Sequence, residues 1–178
     1  MIVILMGVTG AGKTTVGRAL AQATGWEFAD ADDFHSQANR AKMRAGIPLT
    51  DEDREPWLES LHGQITTWAG ENADAILACS ALRESYRAEL IAGTPPNTIR
   101  FVYLTGPEEV IHARLEARQG HYMPSSLLPS QLATLQPPRD AIEIAITQSV
   151  PEIVRQIQQR LGAAADEAYA GDSDTNLK

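Results

Sequence analysis

The sequence is short of several residue types, and each shortage excludes a class of protein. Its 178 residues include one cysteine, Cys79, so the chain has neither an internal disulfide nor a cysteine-based zinc site. No apolar run approaches the ~20 residues that span a bilayer. The apolar start Ile2–Met6 lacks the basic segment of a signal peptide and reaches Gly7 at once. We therefore expect a cytoplasmic protein.

Positive charge is also scarce, since 15 basic side chains face 23 acidic ones and the formal net charge is −8. General binding to nucleic acid or to an anionic membrane needs a basic surface, so we expect neither partner. Lysine is especially rare, at Lys13, Lys42 and Lys178, and arginine supplies the remaining positive charge. The rigid fork of arginine matches phosphate and carboxylate groups, which leaves a basic pocket for a small anion open.

Short apolar segments alternate with stretches of helical spacing along most of the chain. The predicted strands are 2–6, 26–29, 75–79, 99–104 and 141–146. The predicted helices are 13–23, 36–45, 51–69, 80–90, 107–118 and 150–161, with Asp33 and Asp51 as N-caps and a loop over 120–129. This alternation predicts an α/β fold with a five-stranded parallel sheet covered by helices on both faces.

The pattern indicates a single domain over residues 1–162, followed by a flexible tail over 163–178. Between the second and third strands, helical sequence over 35–70 replaces a simple crossover. Such an insertion commonly carries substrate recognition, although a plain structural elaboration is the alternative. A Pro- and Ser-containing segment over 119–136 is a candidate lid that could close over bound phosphates and exclude water.

One motif carries specific chemistry, because Gly7-Val8-Thr9-Gly10-Ala11-Gly12-Lys13-Thr14 matches G-x-x-x-x-G-K-[ST] in full. The glycines let successive backbone N–H groups point at phosphate oxygens, and the following helix adds its positive end. We expect Lys13 to reach the β- and γ-phosphates and the Thr14 hydroxyl to bind Mg²⁺. Thr15 completes the predicted ATP-binding segment.

The loop alone does not choose among kinases, GTPases and motor ATPases. A GTPase needs a guanine-reading N-K-x-D, and the stretch Asn39–Lys42 does not fit it. A motor ATPase has an Asp-Glu pair at the end of another strand of its sheet. In this chain the strand 75–79 ends in Cys79-Ser80 instead. A small-molecule or nucleotide kinase is the remaining class.

Acidic residues follow the second predicted strand, at Asp30 and Asp32. Residues two apart in an extended segment project to the same side, so both carboxylates would face the crevice at the carboxyl edge of the sheet. Phosphoryl transfer to an alcohol needs this pair: we assign Asp30 to the metal or its water and Asp32 to the proton of the acceptor hydroxyl. Exposed turn acids without a catalytic role are the alternative.

The arginines occur in pairs four residues apart, Arg83 with Arg87 and Arg114 with Arg118, so each pair shares one helix face. Arg83 is expected near the crevice, where it can meet a carboxylate or phosphate. Arg114 and Arg118 precede the candidate lid and are expected on the nucleotide phosphates, with Arg118 catalytic. For each pair alone, a solvated salt-bridging face is the alternative. The four histidines have no metal-ligand spacing, so we expect no zinc site.

Several segments together resemble the bacterial-type gluconate kinases, a branch of the small P-loop kinases. They are GVTGAGKT; DADDFH with Asn39 and Lys42-Met43; GIPLTDEDREPWL; ACSALRESYR; and GHYMPSSLLPSQLATLQPP. The resemblance runs from residue 2 to about 160, and only the first segment is general to P-loop proteins. It implies a three-layer P-loop kinase fold with a helical substrate-binding insertion and a lid.

The resemblance further implies transfer of the ATP γ-phosphate to the 6-hydroxyl of D-gluconate, with Mg²⁺, by an enzyme that is often a homodimer. Asp32 would then meet the acceptor hydroxyl, Arg118 would belong to the lid, and Pro137 would lie near adenine. The implied gluconate ligands are Asp32, His35, Arg54, Arg83, Arg87 and His121.

Two other functions remain open from the sequence. Shikimate kinase is the nearest rival, but its Gly-Gly-Gly after the third strand is replaced here by Cys79-Ser80-Ala81. A non-catalytic nucleotide-binding regulator is the rival from another class. The joint presence of Lys13, Thr14, Asp30 and Asp32 argues against it.

Overall fold

The computed structural model describes residues 1–117 and 125–173 of the chain. Its five strands form one parallel sheet in the order β2-β3-β1-β4-β5. The strands are β1 (Ile2–Met6), β2 (Glu27–Asp30), β3 (Ala75–Ala78), β4 (Ile99–Thr105) and β5 (Ile142–Ala145). The predicted α/β class and the five-stranded parallel sheet are therefore confirmed.

Helices fill the connections between strands. They are α1 (Lys13–Thr24), α2 (Gln37–Arg44), α3 (Asp51–Gly70), α4 (Glu84–Leu90), α5 (Glu108–Ala117), α6 (Leu128–Thr134) and α7 (Val150–Ser173). Short 3₁₀ turns occupy Ala31–Phe34 and Ser125–Leu127. Within the described ranges, no helix combines the length and the apolar character needed to cross a membrane.

Strand β1 lies at the centre of the sheet and is buried on both faces, which explains its unbroken apolar sequence. Val3 and Leu5 join a core cluster with Leu20 of α1 and Ile157 of α7. The alternating residues Ile2, Ile4 and Met6 join a second cluster, which includes α3 side chains. The two clusters give the three-layer arrangement, and β1 delivers its C-terminal loop from the most buried part of the molecule.

Two predicted helix caps are wrong. The N-cap of α3 is Thr50 rather than Asp51, because the Thr50 hydroxyl accepts from the Asp53 N–H while the Asp53 carboxylate accepts from the Thr50 N–H. Asp33 lies inside the 3₁₀ turn, and Ser36 caps α2 instead. Both caps lie one or more residues away from the acid that the sequence pattern favoured.

The helix after β3 begins later than predicted, at Glu84 rather than at residue 80. Residues 80–83 form a loop instead, and Ala81 adopts a left-handed φ of 43°, which is strained for a residue with a Cβ. The guanidinium of Arg87 donates to the carbonyl oxygens of Ala81 and Leu82 at 3.0 and 3.3 Å. These bonds stabilise the loop and compensate for the missing helical turn.

The C-terminal part also departs from the predicted elements. The loop expected over 120–129 contains the turn Ser125–Leu127 and the start of α6. Residues 118–124, which include Arg118 and His121, lie outside the described residues. Helix α7 continues to Ser173, beyond the predicted end at Leu161. The flexibility expected for residues 163–178 stays a prediction.

Candidate active site

The phosphate-binding loop connects β1 to α1 and has the curled backbone that its glycines predict. Gly7 and Gly12 have φ values of 140° and 98°, and a Cβ at Gly7 would lie 2.6 Å from the carbonyl oxygen of Leu104. Lys13 folds back over the loop, where Nζ donates to the carbonyl oxygens of Gly7 and Val8 at 2.8 and 3.1 Å. This conformation holds the ammonium group above the concave backbone.

The predicted loop residues differ in what they can offer a nucleotide. The side chains of Val8 and Ala11 are buried, so these residues contribute backbone groups only. Thr15 is exposed on the first turn of α1. Arg114 reaches across from α5, and its guanidinium donates to the carbonyl oxygens of Ala11 and Ile146. The structure thus places Arg114 directly beside the phosphate-binding loop, and its contact with a nucleotide stays a prediction.

The Thr14 hydroxyl and the Asp30 carboxylate, which the sequence predicts as metal ligands, lie in direct contact. Thr14 Oγ1 donates to Asp30 Oδ2 at 2.7 Å, and the other Asp30 oxygen accepts from the Asp32 N–H at 3.1 Å. Two hard oxygen donors beside a phosphate site suit Mg²⁺, which keeps several waters and binds few protein ligands. In the described part of the chain, no group of three or more His, Cys, Asp and Glu side chains could hold a metal ion. The residues present therefore fit Mg²⁺ bound jointly with a nucleotide.

Two adjoining cavities meet at Asp32. The smaller one is lined by the phosphate-binding loop with Thr14 and Asp30. The larger one, of about 170 Å³, lies under the helical insertion. The residues that line both are Asp32, Ser80 and Gln131. A group bound to the loop and a molecule in the larger cavity would therefore face each other across the Asp32 carboxylate.

Asp32 reaches this position through a turn rather than through strand alternation. Strand β2 ends at Asp30, and Asp32 belongs to the 3₁₀ turn that follows. The Asp30 carboxylate caps that turn by accepting from the Asp32 N–H. The predicted pair therefore meets at the crevice, but the geometric reason for it is the turn.

His35 forms one wall of the larger cavity and is 8 % exposed. Its ring stacks on the Trp57 indole with centroids 4.5 Å apart, and Trp57 Nε1 donates to the Ala31 carbonyl at 2.7 Å. Burial, followed by the positive charges of Arg54 and Arg40, lowers the His35 pKa to about 4. His35 is therefore neutral at physiological pH, and its Nδ1 has no hydrogen-bond partner among the described residues. A neutral imidazole is suited to a hydroxyl ligand.

The rim of the larger cavity carries Arg54, Arg83 and Tyr86. Both guanidinium groups lie against the Tyr86 ring, with the Arg54 and Arg83 carbons 5.7 and 5.3 Å from its centroid. Asp51 joins this rim, accepting from Tyr86 OH at 2.6 Å and from Arg83 at 2.8 Å. The hydrogen bond from Tyr86 and then that from Arg83 lower the pKa of Asp51, which stays charged. Two cations and one anion leave the rim with one net positive charge.

The structure separates Arg87 and Pro137 from the other predicted site residues. Both line a different cavity, beside the start of β4. The predicted contacts of Arg118 and His121 lie outside the described residues. The remaining predicted residues surround the phosphate-binding loop and the larger cavity.

Several residues of the site were not singled out by the sequence pattern. Gln131 of α6 accepts from the Thr9 N–H at 2.6 Å, which links the candidate lid region to the phosphate-binding loop. Trp57, Tyr86 and Asp51 shape the larger cavity and its charged rim. Tyr86 had the periodicity of a core residue, and the partners of Trp57 and Tyr86 are distant in the chain.

Known proteins resemble this chain over most of its length. A family model described as an AAA domain matches residues 2–138. The gluconokinase of Gluconobacter oxydans is 47% identical, covering 77% of this chain and 76% of its own length. A probable gluconokinase of Mus musculus is 40% identical, covering 90% and 97% respectively. The crystal structure of a gluconokinase from Sinorhizobium meliloti superposes with a TM-score of 0.84 at 40% identity, covering 95% of each chain.

Proposed function

Because this chain belongs to the gluconokinase family, we propose that it transfers the γ-phosphoryl group of ATP to the 6-hydroxyl of D-gluconate, giving 6-phospho-D-gluconate. The observation that carries this proposal is the position of Asp32, which lines both the loop cavity and the larger cavity. ATP phosphates on the loop and a hydroxyl in the larger cavity would meet at this carboxylate.

Different residues of this chain bind the phosphates, accept the proton and hold the metal ion. The loop N–H groups, Lys13 and Arg114 bind and orient the phosphates. Asp32 accepts the proton of the substrate 6-hydroxyl. The hydroxyl oxygen forms a bond to the γ-phosphorus, while the bond from the γ-phosphorus to ADP breaks and ADP leaves. Thr14 and Asp30 would hold Mg²⁺, which supplies charge neutralisation on the β- and γ-phosphates.

The charged rim supports a monoanionic polyol as acceptor. Arg54 and Arg83 offer guanidinium forks to the carboxylate, and Asp51 reduces their combined charge to one net positive charge. Neutral His35, stacked on Trp57, offers hydrogen bonding to a substrate hydroxyl without adding charge. A singly charged sugar acid matches this balance better than a nucleotide acceptor, whose phosphates call for more cations.

Four finer assignments are also proposals. We propose that the enzyme uses Mg²⁺, acts in the cytoplasm as a homodimer, and closes residues 119–136 as a lid. Arg118 and His121 would then reach the phosphates and the substrate. The resemblance to gluconate kinases supports these assignments, and the acidic net charge of −8 supports the absence of nucleic-acid and membrane partners.

An ATP-consumption assay on gluconate, related sugar acids, shikimate and nucleoside monophosphates tests the proposal. We expect turnover with gluconate and a kcat that falls roughly 100-fold or more in Asp32→Asn, because the base is removed. Asp33→Asn is the matched control, since Asp33 is the neighbouring exposed acid of the same turn. Absence of turnover with gluconate contradicts the function, and equal losses in the two variants contradict the role of Asp32.

A further inference from the structure

Arg87 is a buried cation that makes no ion-pair contact among the described residues. Its side chain is 8 % exposed, and its bonds to Ala81 and Leu82 are to neutral carbonyl groups. Among the described residues, no carboxylate lies within ion-pair distance of it. Burial lowers the pKa of Arg87, and the negative charge of Glu84 opposes that shift in part. An anion beside this guanidinium would offset that cost.

The space beside Arg87 is a cavity of about 450 Å³, separate from the two cavities at Asp32. Two further arginines, Arg100 and Arg139, line it together with the acidic residues Glu84 and Asp140. This balance leaves one net positive charge. The rest of the wall is largely apolar and includes Phe101. The volume lies in the range of small-molecule sites, ~300–1,000 Å³, and exceeds what a bare ion needs.

The cavity connects to the acceptor site through the loop over residues 80–83. Arg87 Nη1 holds the carbonyl groups of Ala81 and Leu82, which precede Arg83 of the charged rim. Gln136 supports the same loop, since its N–H donates to the Leu82 carbonyl at 2.8 Å and its side chain accepts from the Glu84 N–H at 2.7 Å. Ser80, at the other end of the loop, lines both cavities at Asp32.

We propose that this cavity binds a small organic anion, a phosphate or carboxylate on an apolar body, through Arg87, Arg100 and Arg139. The Nε and Nη2 atoms of Arg87 have no hydrogen-bond partner among the described residues, so an anion can bind there while Nη1 keeps its bonds to the loop. Occupancy then stabilises the loop that positions Arg83. The anion site is therefore coupled favourably to the acceptor site.

Calorimetric titration with phenyl phosphate and benzoate tests the binding, with benzyl alcohol as the neutral probe. The protein is first saturated with a non-hydrolysable ATP analogue, so that the phosphate-binding loop is filled. We expect one anion per chain, with affinity reduced about tenfold or more in Arg139→Met, because a charged hydrogen bond is lost. Arg160→Met is the matched control, since Arg160 is exposed on α7, which packs with α1. The Arg87→Met variant should not bind the anion if it folds. If the Arg87→Met variant does not fold, the Arg139→Met variant remains the test of the site.

The coupling is read from gluconate kinetics at saturating probe. We expect the KM for gluconate to fall about two- to fivefold in the wild type and to stay unchanged in Arg139→Met. Three results overturn the proposal: no anion binding at millimolar probe, equal binding of benzyl alcohol, or anion binding that Arg139→Met leaves intact. A dimer that Arg139→Met dissociates, together with no probe binding, would show that a second copy fills the cavity instead. If the protein does not turn over gluconate, only the KM measurement is lost. Calorimetry still tests anion binding, so a failure of the proposed function can be distinguished from a failure of this inference.

Discussion

At the scale of single residues, His35 shows how burial sets a chemical role. The sequence placed it in a motif without fixing its charge. The stack on Trp57 and the positive charges of Arg54 and Arg40 keep its imidazole neutral. A protonated His35 would add a third cation to a cavity whose rim already carries Arg54 and Arg83. Burial thus preserves the charge balance that we assign to substrate selection.

The lowered pKa of His35 predicts a pH dependence of stability. Its pKa falls from 6.5 to about 4 on folding, so both states are neutral above about pH 6.5. Between about pH 6.5 and 4 only the unfolded chain binds the proton, so the free energy of unfolding decreases as the pH falls. The decrease reaches roughly 3 kcal/mol. Denaturant unfolding across this range should show that decrease, and His35→Gln should remove it.

His112→Gln is the control for this measurement, because His112 is an exposed histidine of α5 outside the larger cavity. It should keep the wild-type slope. The carboxylates with lowered pKa, such as Asp51 and Asp53, lose their stabilising effect as the pH falls below their usual range. That loss is common to the wild type and both variants. A His35→Gln slope equal to that of the wild type would show that His35 titrates normally.

At the scale of elements, the capping box at Thr50 fixes the start of the helix that carries Arg54. Asp53 is central to it: its carboxylate accepts from the Thr50 N–H and from Lys42 at 2.7 Å, and its carbonyl accepts from Asn39 Nδ2 at 2.6 Å. These contacts join α2 to the first turn of α3. The cap thereby positions the charged rim as well as the helix.

Thr50→Ala should lower the free energy of unfolding by about 1 kcal/mol, because the Asp53 N–H loses its side-chain acceptor. It should also raise the KM for gluconate more than it lowers kcat, since Arg54 follows in the same turn. Chemical denaturation and steady-state kinetics measure the two effects. Thr67→Ala is the matched control, an exposed threonine in the same helix whose hydroxyl donates to the Gly63 carbonyl. Equal effects of the two substitutions would contradict the importance of the cap.

At the scale of the whole molecule, the sheet divides the core into two clusters with different tasks. The cluster with α3 lies beneath the substrate-binding insertion. The cluster with α1 and α7 supports the phosphate-binding loop and includes Ile157 and Leu161 of α7. Close packing extends to single glycines, since a Cβ at Gly17 would lie 2.4 Å from the Phe28 ring.

Deletion of residues 163–178 should leave the fold and the activity intact. These residues carry no hydrophobic period in the sequence, so we expect the free energy of unfolding to change by less than about 0.5 kcal/mol. Ile157→Ala is the contrasting variant and should cost about 2–5 kcal/mol, because it leaves a cavity in the core. Denaturant unfolding and the gluconate assay measure both. A deletion as damaging as Ile157→Ala would assign the C-terminal part of α7 a structural role.

The sequence by itself determined the features that depend on neighbouring residues. Apolar periodicity predicted the five strands and their parallel pairing, and the spacing from Gly7 to Thr14 predicted the phosphate-binding loop. Asp30 and Asp32 were predicted at the crevice from their position after a strand, and the structure brings them there through the 3₁₀ turn. The strands and the loop follow from the sequence because backbone hydrogen bonding and local spacing are set over a few residues.

Only the tertiary structure decided which side chains face the site and with what charge. Arg83 and Arg87 have the spacing of one helix face. Because residues 80–83 form a loop, however, Arg83 lies at the rim of the larger cavity and Arg87 lines the separate cavity beside the start of β4. Asp51 reduces the charge of the rim through partners 32 and 35 residues away, and Gln131 reaches Thr9 across 122 residues. Contacts between residues so distant in the chain leave no periodic signal, because they arise when separate elements pack together.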